Sequence, residues 1–411
     1  MDLYSVLDPS PTSSETSFHL IQLPQQLLES IKPPIDNANC ERLLQKYNFS
    51  REQCLQFKAK DGFSTPYLTT IDTTFKIRQQ NHSNCVMLLE HDTNYLNFDN
   101  YLILEKQPTP TSLNLNGVDI VQVSLVSDID NLEEVNEANL YKSTVQVLNQ
   151  TPISLLEFDK LMVENNIVPN GDSLIKLKPP MVSILLTSLL TSLLNIVDDI
   201  NMEFPTSLLS QILTESNTLL RERYHLRGEL LPLRLLTYTF LYFLNYNELN
   251  NTTTETPAEA GASTQESFLS LALPMANFTL QHNKIIQFLS LTILRRQQLL
   301  PLDDLLIQIR LNLPANYLPT FEINDILTGI SYTTKKDGQV LVNFLTPDHL
   351  ANFNTPQSRF EKLFSLKNLW PIAEISPYLQ PVNTKALKIE KFCLKYSRVR
   401  KQKGQTYVSP R

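Results

Sequence analysis

The chain has 411 residues, 42% of them hydrophobic, with 35 Lys and Arg against 42 Asp and Glu for a formal charge of −7. Single hydrophobic cores stop growing near about 250–300 residues, so this length argues against one compact domain and for two or three modules. Only eight glycines are present, which leans toward helix bundles with polar connectors rather than a glycine-rich nucleotide-binding α/β fold; with the β-rich N-terminal part described below, the chain reads as α+β.

The N-terminus, MDLYSVLDPSPTSSETS, has no basic start and no apolar run, so no secretory signal is expected. The sequons at Asn48, Asn81, Asn149, Asn250, Asn251 and Asn277 are read as by-products of an Asn-rich composition. Cys40, Cys54, Cys85 and Cys393 lie far apart with no C-x-x-C pair, the pattern of reduced thiols in a cytosolic or nuclear protein.

Residues 1–127 read as a β-rich assembly domain. CLQFKAK (54–60) alternates apolar and polar residues and runs into Asp61-Gly62, a favoured hairpin turn; TFKIRQQ (74–80) alternates too and passes through a second turn, Asn81-His82, into CVMLLEH. YLILEK (101–106) and VDIVQVSLV (118–126) are further strands. So few short strands with few aromatics make a thin core, a sheet that partner strands would complete. The alternating apolar positions Leu55, Phe57, Phe75, Ile77, Val86 and Leu88 are the candidate partner-binding residues.

An acidic linker is expected over 128–153, then a helical, degenerate module over 154–246. SLLEFDKLMVENNIV predicts a helix and DSLIKLK a short strand. Within MVSILLTSLLTSLLNIV (181–197), Ser183, Thr187, Ser188, Thr191, Ser192 and Asn195 share one half of the helical wheel, which marks an amphipathic core helix rather than a membrane span. PTSLLSQILTESNTLLRERY and PLRLLTYTFLYFLNY continue the helical pattern, and 247–267 is a polar loop.

One plan then occurs twice, over 268–353 and 354–411. KIIQFLSLTILRRQQ, PLDDLLIQIRLNLP and EINDILTGIS predict three helices, followed by two strands around Lys336-Asp337-Gly338. TPQSRFEKLFSLKN, with Thr at its cap and Pro just inside, IAEISPYL and NTKALKIEKFCLKYS predict three more, followed by two strands around Lys403-Gly404. Three helices and a hairpin are the plan of a winged helix, here in tandem, with Ser154–Lys178 as a truncated third copy.

No GxxxxGK[ST], GxGxxG, HExxH or GxSxG motif occurs, so neither an enzyme nor a cofactor is expected. His82, Cys85 and His91 form the one grouping of soft ligands and are read as hairpin residues, with no metal. Asp303-Asp304 opens a predicted helix, where the dipole favours acids without catalysis.

The basic end is different in degree. From Thr384 to Arg411 there are nine cations against Glu390 alone, so this end carries +8 and the preceding residues −15. Lys385, Lys388, Lys391 and Lys395 recur at helical spacing; Arg398, Arg400, Lys401, Lys403 and Arg411 lie in or beside the expected wing. These nine are the candidate DNA-binding residues, with contacts mainly to the backbone.

SRFEKLFSLKNLW, EISPYL and KFCLKYSRVRKQKGQTYVSPR at the C-terminus, with LIQLPQQLL (20–28) and TFKIRQQNHSNCVMLL (74–89), resemble the defective-in-sister-chromatid-cohesion family of the alternative, chromosome-transmission-fidelity type of replication factor C clamp loader. The C-terminal resemblance is carried by Arg359, Phe360, Leu363, Phe364, Leu366, Trp370, Pro377, Tyr378, Leu379, Lys395, Tyr396, Ser397 and Arg398. The polar insertion at 247–267 and the acidic region at 128–150 depart from the family pattern. The resemblance implies a nuclear, non-catalytic adaptor in DNA replication and sister chromatid cohesion. Its β part would complete a shared β-barrel with the large clamp-loader subunit's C-terminal tail and the small chromosome-transmission-fidelity subunit. That composite would dock on DNA polymerase epsilon, meet the sliding clamp indirectly, bind DNA through winged helices and use no membrane. A winged-helix transcription regulator and a protein-binding scaffold are the alternatives from other classes.

Overall fold

The computed structural model describes residues 4–5, 21–24, 27, 38–50, 55–59, 65–90, 93–107, 113, 115, 117–136, 139–248, 264–273, 276–384, 387–402 and 404–411. In chain order the N-terminal elements are β1 (Tyr4–Ser5), β2 (Ile21–Gln22), α1 (Ala38–Lys46), β3 (Gln56–Lys58), β4 (Tyr67–Thr69), β5 (Thr74–Glu90), β6 (Thr93–Lys106) and β7 (Asp119–Val123). Next come α2 (Lys142–Gln150), α3 (Leu155–Glu164), β8 (Ile167–Asn170), β9 (Ser173–Leu177), α4 (Pro179–Ile196), α5 (Thr206–Tyr224), α6 (Leu230–Phe243) and β10 (Leu244–Glu248). The remainder is α7 (Thr264–Ala272), β11 (Ala276–Leu280), α8 (His282–Gln297), β12 (Leu299–Pro301), α9 (Leu302–Leu311), α10 (Ile323–Leu327), β13 (Ser331–Lys336), β14 (Gln339–Phe344), α11 (Pro356–Leu366), β15 (Trp370–Pro371), α12 (Ile372–Leu379), α13 (Ile389–Tyr396), β16 (Arg398–Gln402) and β17 (Gln405–Ser409).

The fold is α+β, with several small sheets and, among the described residues, no closed barrel. Two compact units divide the chain: residues 1–178, 204–242 and 246–278 form one, and 179–203, 243–245 and 279–411 the other.

In the first unit an open sheet runs β1-β6-β5-β4-β3, with β2 also on β6. Its centre is the antiparallel pair β5–β6, and Leu27, Leu68, Phe75, Ile77 and Leu104 pack into its core. The turn expected at Asn81-His82 is not formed. β5 runs through both residues, and the polar interruption shows as a register irregularity between Asn81 and Val86, because pairing to β6 on both sides of it outweighs the local turn preference. The Asp61-Gly62 turn lies outside the described residues.

The expected acidic linker is a second departure. It holds a 3-10 turn over Val126–Asn131 and helix α2, whose Val147 and Leu148 are fully buried; they belong to a core. Here β7, β9 and β8 form a sheet in that order, flanked by α2 and α3. Ser154 caps α3 through a capping box with Glu157, whose carboxylate also accepts the Thr74 hydroxyl at 2.6 Å. Most of 247–267 lies outside the described residues, and its end is already helix α7.

In the second unit α4 is long and apolar enough to cross a membrane by composition. Met181, Val182, Leu185, Leu186, Leu189, Leu190 and Leu193 are nevertheless at most 2% exposed, and Thr187 and Thr191 back-bond to the carbonyls of Ser183 and Thr187. Ser192, expected on the polar half, is itself buried.

From His282 to Phe344 and from Pro356 to Ser409 one order occurs twice, helix, short strand, two helices and hairpin, each closing a three-stranded sheet whose last strand lies in the middle: β12-β14-β13 and β15-β17-β16. The β7-β9-β8 sheet has that strand order too, so this echo starts at Asp119 rather than Ser154. Its polarity differs, since β7 runs parallel to β9 whereas β12 and β15 run antiparallel to their central strands.

Candidate nucleic-acid interface

The last repeat is built on a buried cation. Thr355 caps α11 by accepting the Ser358 amide, with Pro356 at the first helical position. One turn in, Arg359 is 3% exposed and donates to the carbonyls of Phe353, Tyr378 and Leu350 at 3.0, 3.0 and 2.7 Å. It ties α11 to the end of α12 through the backbone, needing no acid, and burial lowers its pKa. Trp370 is fully buried and donates its indole N–H to Leu363 at 3.1 Å. Phe360, Phe392 and Tyr396 stack across α11 and α13, with Phe360 and Tyr396 centroids 5.7 Å apart. Burial beside Glu390 pushes the Cys393 thiol up to about 12, so this cysteine is an inert core side chain.

On this support sit the cations. Helix α13 is shorter than the lysine spacing predicted: Lys388 is its N-cap residue, and only Lys391 and Lys395 lie within it. Lys385 and Lys403 lie outside the described residues. Lys388, Lys391, Lys395, Arg398, Arg400 and Lys401 are exposed, and none forms an ion pair among the described residues. In the hairpin, Val399 opposes the buried Val408 on the inner face, so Arg398 opposite Ser409 and Arg400 opposite Tyr407 take the outer one. Arg411 is partly committed: its guanidinium donates to the carbonyls of Leu394 and Lys395 at 3.0 and 2.7 Å, satisfying the end of α13.

The preceding repeat presents different chemistry. Helix α10 and its cap carry Glu322 and Asp325, and α9 exposes Ile307 and Leu311. Its cations are scattered: Lys335 and Lys336 sit at the hairpin tip, and Arg295 and Arg296 in the last turn of α8. A run of exposed cations on consecutive elements is therefore a property of the last repeat.

The candidate partner residues separate. Leu55 and Phe57 are 41% and 66% exposed on or beside β3, the sheet's edge. Phe75 and Ile77 are instead buried in the chain's own core. β5 pairs on both sides, with β4 and β6, and this closes them in. The side chains of Val86 and Leu88 lie outside the described residues. Next to the exposed Phe57, Lys58 turns inward and donates to the carbonyls of Leu148 and Ile153 at 3.0 Å each; burial drops its pKa to about 8.

Sequence reading missed a buried ionic cluster. Lys46 of α1 lies 2.6 Å from Asp159 of α3, with the rings of Tyr47, Tyr141 and Tyr238 all within 5.5 Å. Arg42 donates to the Leu271 carbonyl at 2.7 Å. Burial lowers the Lys46 pKa, whereas for Asp159 burial's upward push is overcome by Lys46 and Arg42, leaving it depressed. Tyr47 and Tyr238 are pushed well up, first by burial. Lys46 and Asp159 lie 113 residues apart, and no local pattern marks them.

Among the described residues no three His, Cys, Asp or Glu side chains group to hold a metal. The groove beside Leu226 and Pro232 contains Glu134, but its carboxylate is spent on the N-terminus of α6, accepting the Leu230 amide and the Leu231 amide at 2.8 Å.

These features define a modular α+β protein with repeated helix–hairpin units, an open sheet edge in one unit and an unpaired cationic hairpin in the other. The chain belongs to the family described as Sister chromatid cohesion protein Dcc1, whose profile matches residues 18–379. It is 23% identical over 424 residues to Sister chromatid cohesion protein DCC1 of Saccharomyces cerevisiae (strain ATCC 204508 / S288c), covering 97% of each chain.

Proposed function

We propose that this chain acts in sister chromatid cohesion as a non-catalytic nuclear adaptor, joining an alternative clamp loader to DNA polymerase epsilon and touching DNA through its C-terminal winged helices. Family membership supports the cohesion role. The finer reading rests chiefly on one observation, the exposed and unpaired cations of α13 and β16 on a rigid support. Like charges so close repel unless an anion offsets them, and a phosphate backbone does so without base reading. The winged-helix reading draws on the common strand order of the two repeats. The docking end is the β3 edge, which among the described residues pairs with β4 alone and carries the exposed Leu55 and Phe57, a site suited to strands of the loader's subunits.

Salt titration of duplex binding tests the DNA reading. Replacing Arg398, Arg400 and Lys401 together by Ala should reduce the slope of log affinity against log salt by about 0.9 for each phosphate no longer neutralised. An unchanged slope places the DNA-binding surface elsewhere, and no salt-sensitive binding by the parent chain favours a protein-binding scaffold.

A further inference from the structure

We infer that Ser409 is a phosphorylation site, and that Arg398, opposite it across the hairpin, is the clamp that holds its phosphate, switching the cationic hairpin off. The switching part rests on the DNA reading above; the site and its clamp do not.

Nine Ser-Pro or Thr-Pro dipeptides occur in the chain, and Ser409-Pro410 alone is followed directly by Lys or Arg, namely Arg411. A proline-directed protein kinase of basic preference would single out this one. Ser409 is the last residue of β17, half-buried, and pairs directly with Arg398 across the ladder. The β15 side does not cover it, since that pairing ends at Trp370 and Val408. Ser409 occupies the outermost rung of the β16–β17 ladder, the rung that local fraying opens first.

Its cross-strand neighbour is a cation suited to a dianion. Directly opposed side chains in an antiparallel pair have Cβ atoms about 4.5–5.5 Å apart, within reach of a guanidinium to a phosphate. In transfer, the Ser409 Oγ forms a bond to the γ-phosphorus of a nucleoside triphosphate. The bond from that phosphorus to the bridging oxygen breaks, the nucleoside diphosphate leaves, and the hydroxyl proton passes to the kinase's base. The product carries about −1.5 to −2 charges at neutral pH, placed opposite Arg398 on the end rung of the outer face that also bears Arg400. It pairs with the cations that would otherwise meet DNA phosphates.

The test uses the full chain, a proline-directed kinase and ATP. Mass spectrometry should place one phosphate on Ser409, absent in Ser409→Ala; no phosphate at Ser409 overturns the site. Phosphorus NMR should find the second phosphate pKa below the usual value of about 6, returning toward it in Arg398→Ala; an unshifted value overturns the clamp. Duplex affinity at low salt should fall at least about fivefold on phosphorylation, with a salt slope reduced by the equivalent of about two neutralised DNA phosphates. Unchanged affinity and slope overturn the switch. If the unmodified chain binds no duplex, the DNA reading falls, and the mass and NMR results still decide the site and clamp.

Discussion

The Tyr378 hydroxyl lies 2.8 Å from the Ser331 carbonyl and 3.0 Å from that of Leu345, joining helix α12 of the last repeat to the two open ends of the preceding repeat's hairpin. Tyr378 is fully buried, and burial lifts its pKa well above the ordinary phenol value, so the group stays a neutral donor. Beside it the junction closes tightly: a side chain at Gly329, whose φ is +80°, would sit 3.3 Å from Pro377. Tyr378→Phe should cost about 1–2 kcal/mol by leaving the carbonyls short of a donor. Gly329→Ala should cost a similar amount through its backbone conformation alone. Chemical denaturation of the two variants checks both values, and a destabilisation under a few tenths of a kcal/mol for either would show that the residue does not hold the junction together.

Arg359 carries a larger share. Replacement by Met keeps the aliphatic stem but strips three buried carbonyls of their donor, and the predicted loss is about 3 kcal/mol or more. Arg359→Lys should recover only part of it, since an ammonium cannot reproduce the planar fork. Full rescue by Lys in denaturant titration would show that charge, not geometry, matters there.

Lys58 makes stability depend on pH. Its folded pKa is about 8 and its ordinary value 10.5. Between these the unfolded chain holds the proton and the folded chain does not, so this group makes stability rise from about pH 8 upward. The rise is worth up to about 3 kcal/mol at 1.36 kcal/mol per pH unit. Above about pH 10 the raised Tyr47 and Tyr238 oppose it, because the unfolded phenols ionise first. Lys58→Met should flatten the profile between pH 8 and 10, and an unaltered profile would contradict the assignment.

The buried pair of Lys46 and Asp159 is a lock rather than a bonus. Asp159→Asn leaves Lys46 and Arg42 without a counter-charge and should cost about 3–5 kcal/mol, whereas Lys46→Met with Asp159→Leu should cost less. A double-mutant cycle on unfolding free energy decides this; a double variant no better than the single contradicts the cost assigned to an unpaired charge.

What could be read in advance follows the range of the forces involved. The last repeat was legible because Thr355-Pro356 is a local start signal and Lys403-Gly404 a local turn, and both work over a few residues. The cationic surface was legible as charge on consecutive elements, though Lys388 proved to be a cap and Arg411 is partly spent on α13. The inward turn of Lys58 was not, because its acceptors, Leu148 and Ile153, come from a segment that composition marked as linker. Phe75 and Phe57 look alike in sequence; only the order of strands buries the first and leaves the second at an edge.

Affinity purification from cells with quantitative mass spectrometry, run on the parent chain, Leu55→Asp with Phe57→Asp, and the Arg398, Arg400 and Lys401 triple alanine variant, tests the adaptor claim most directly. Leu55 and Phe57 are exposed, so their replacement should leave the fold intact while clamp-loader subunits and the polymerase are lost. The triple variant should keep those proteins and lose only the DNA recovered with them. If the edge variant retains every partner, or if the parent brings down none of the replication subunits, the central claim is wrong.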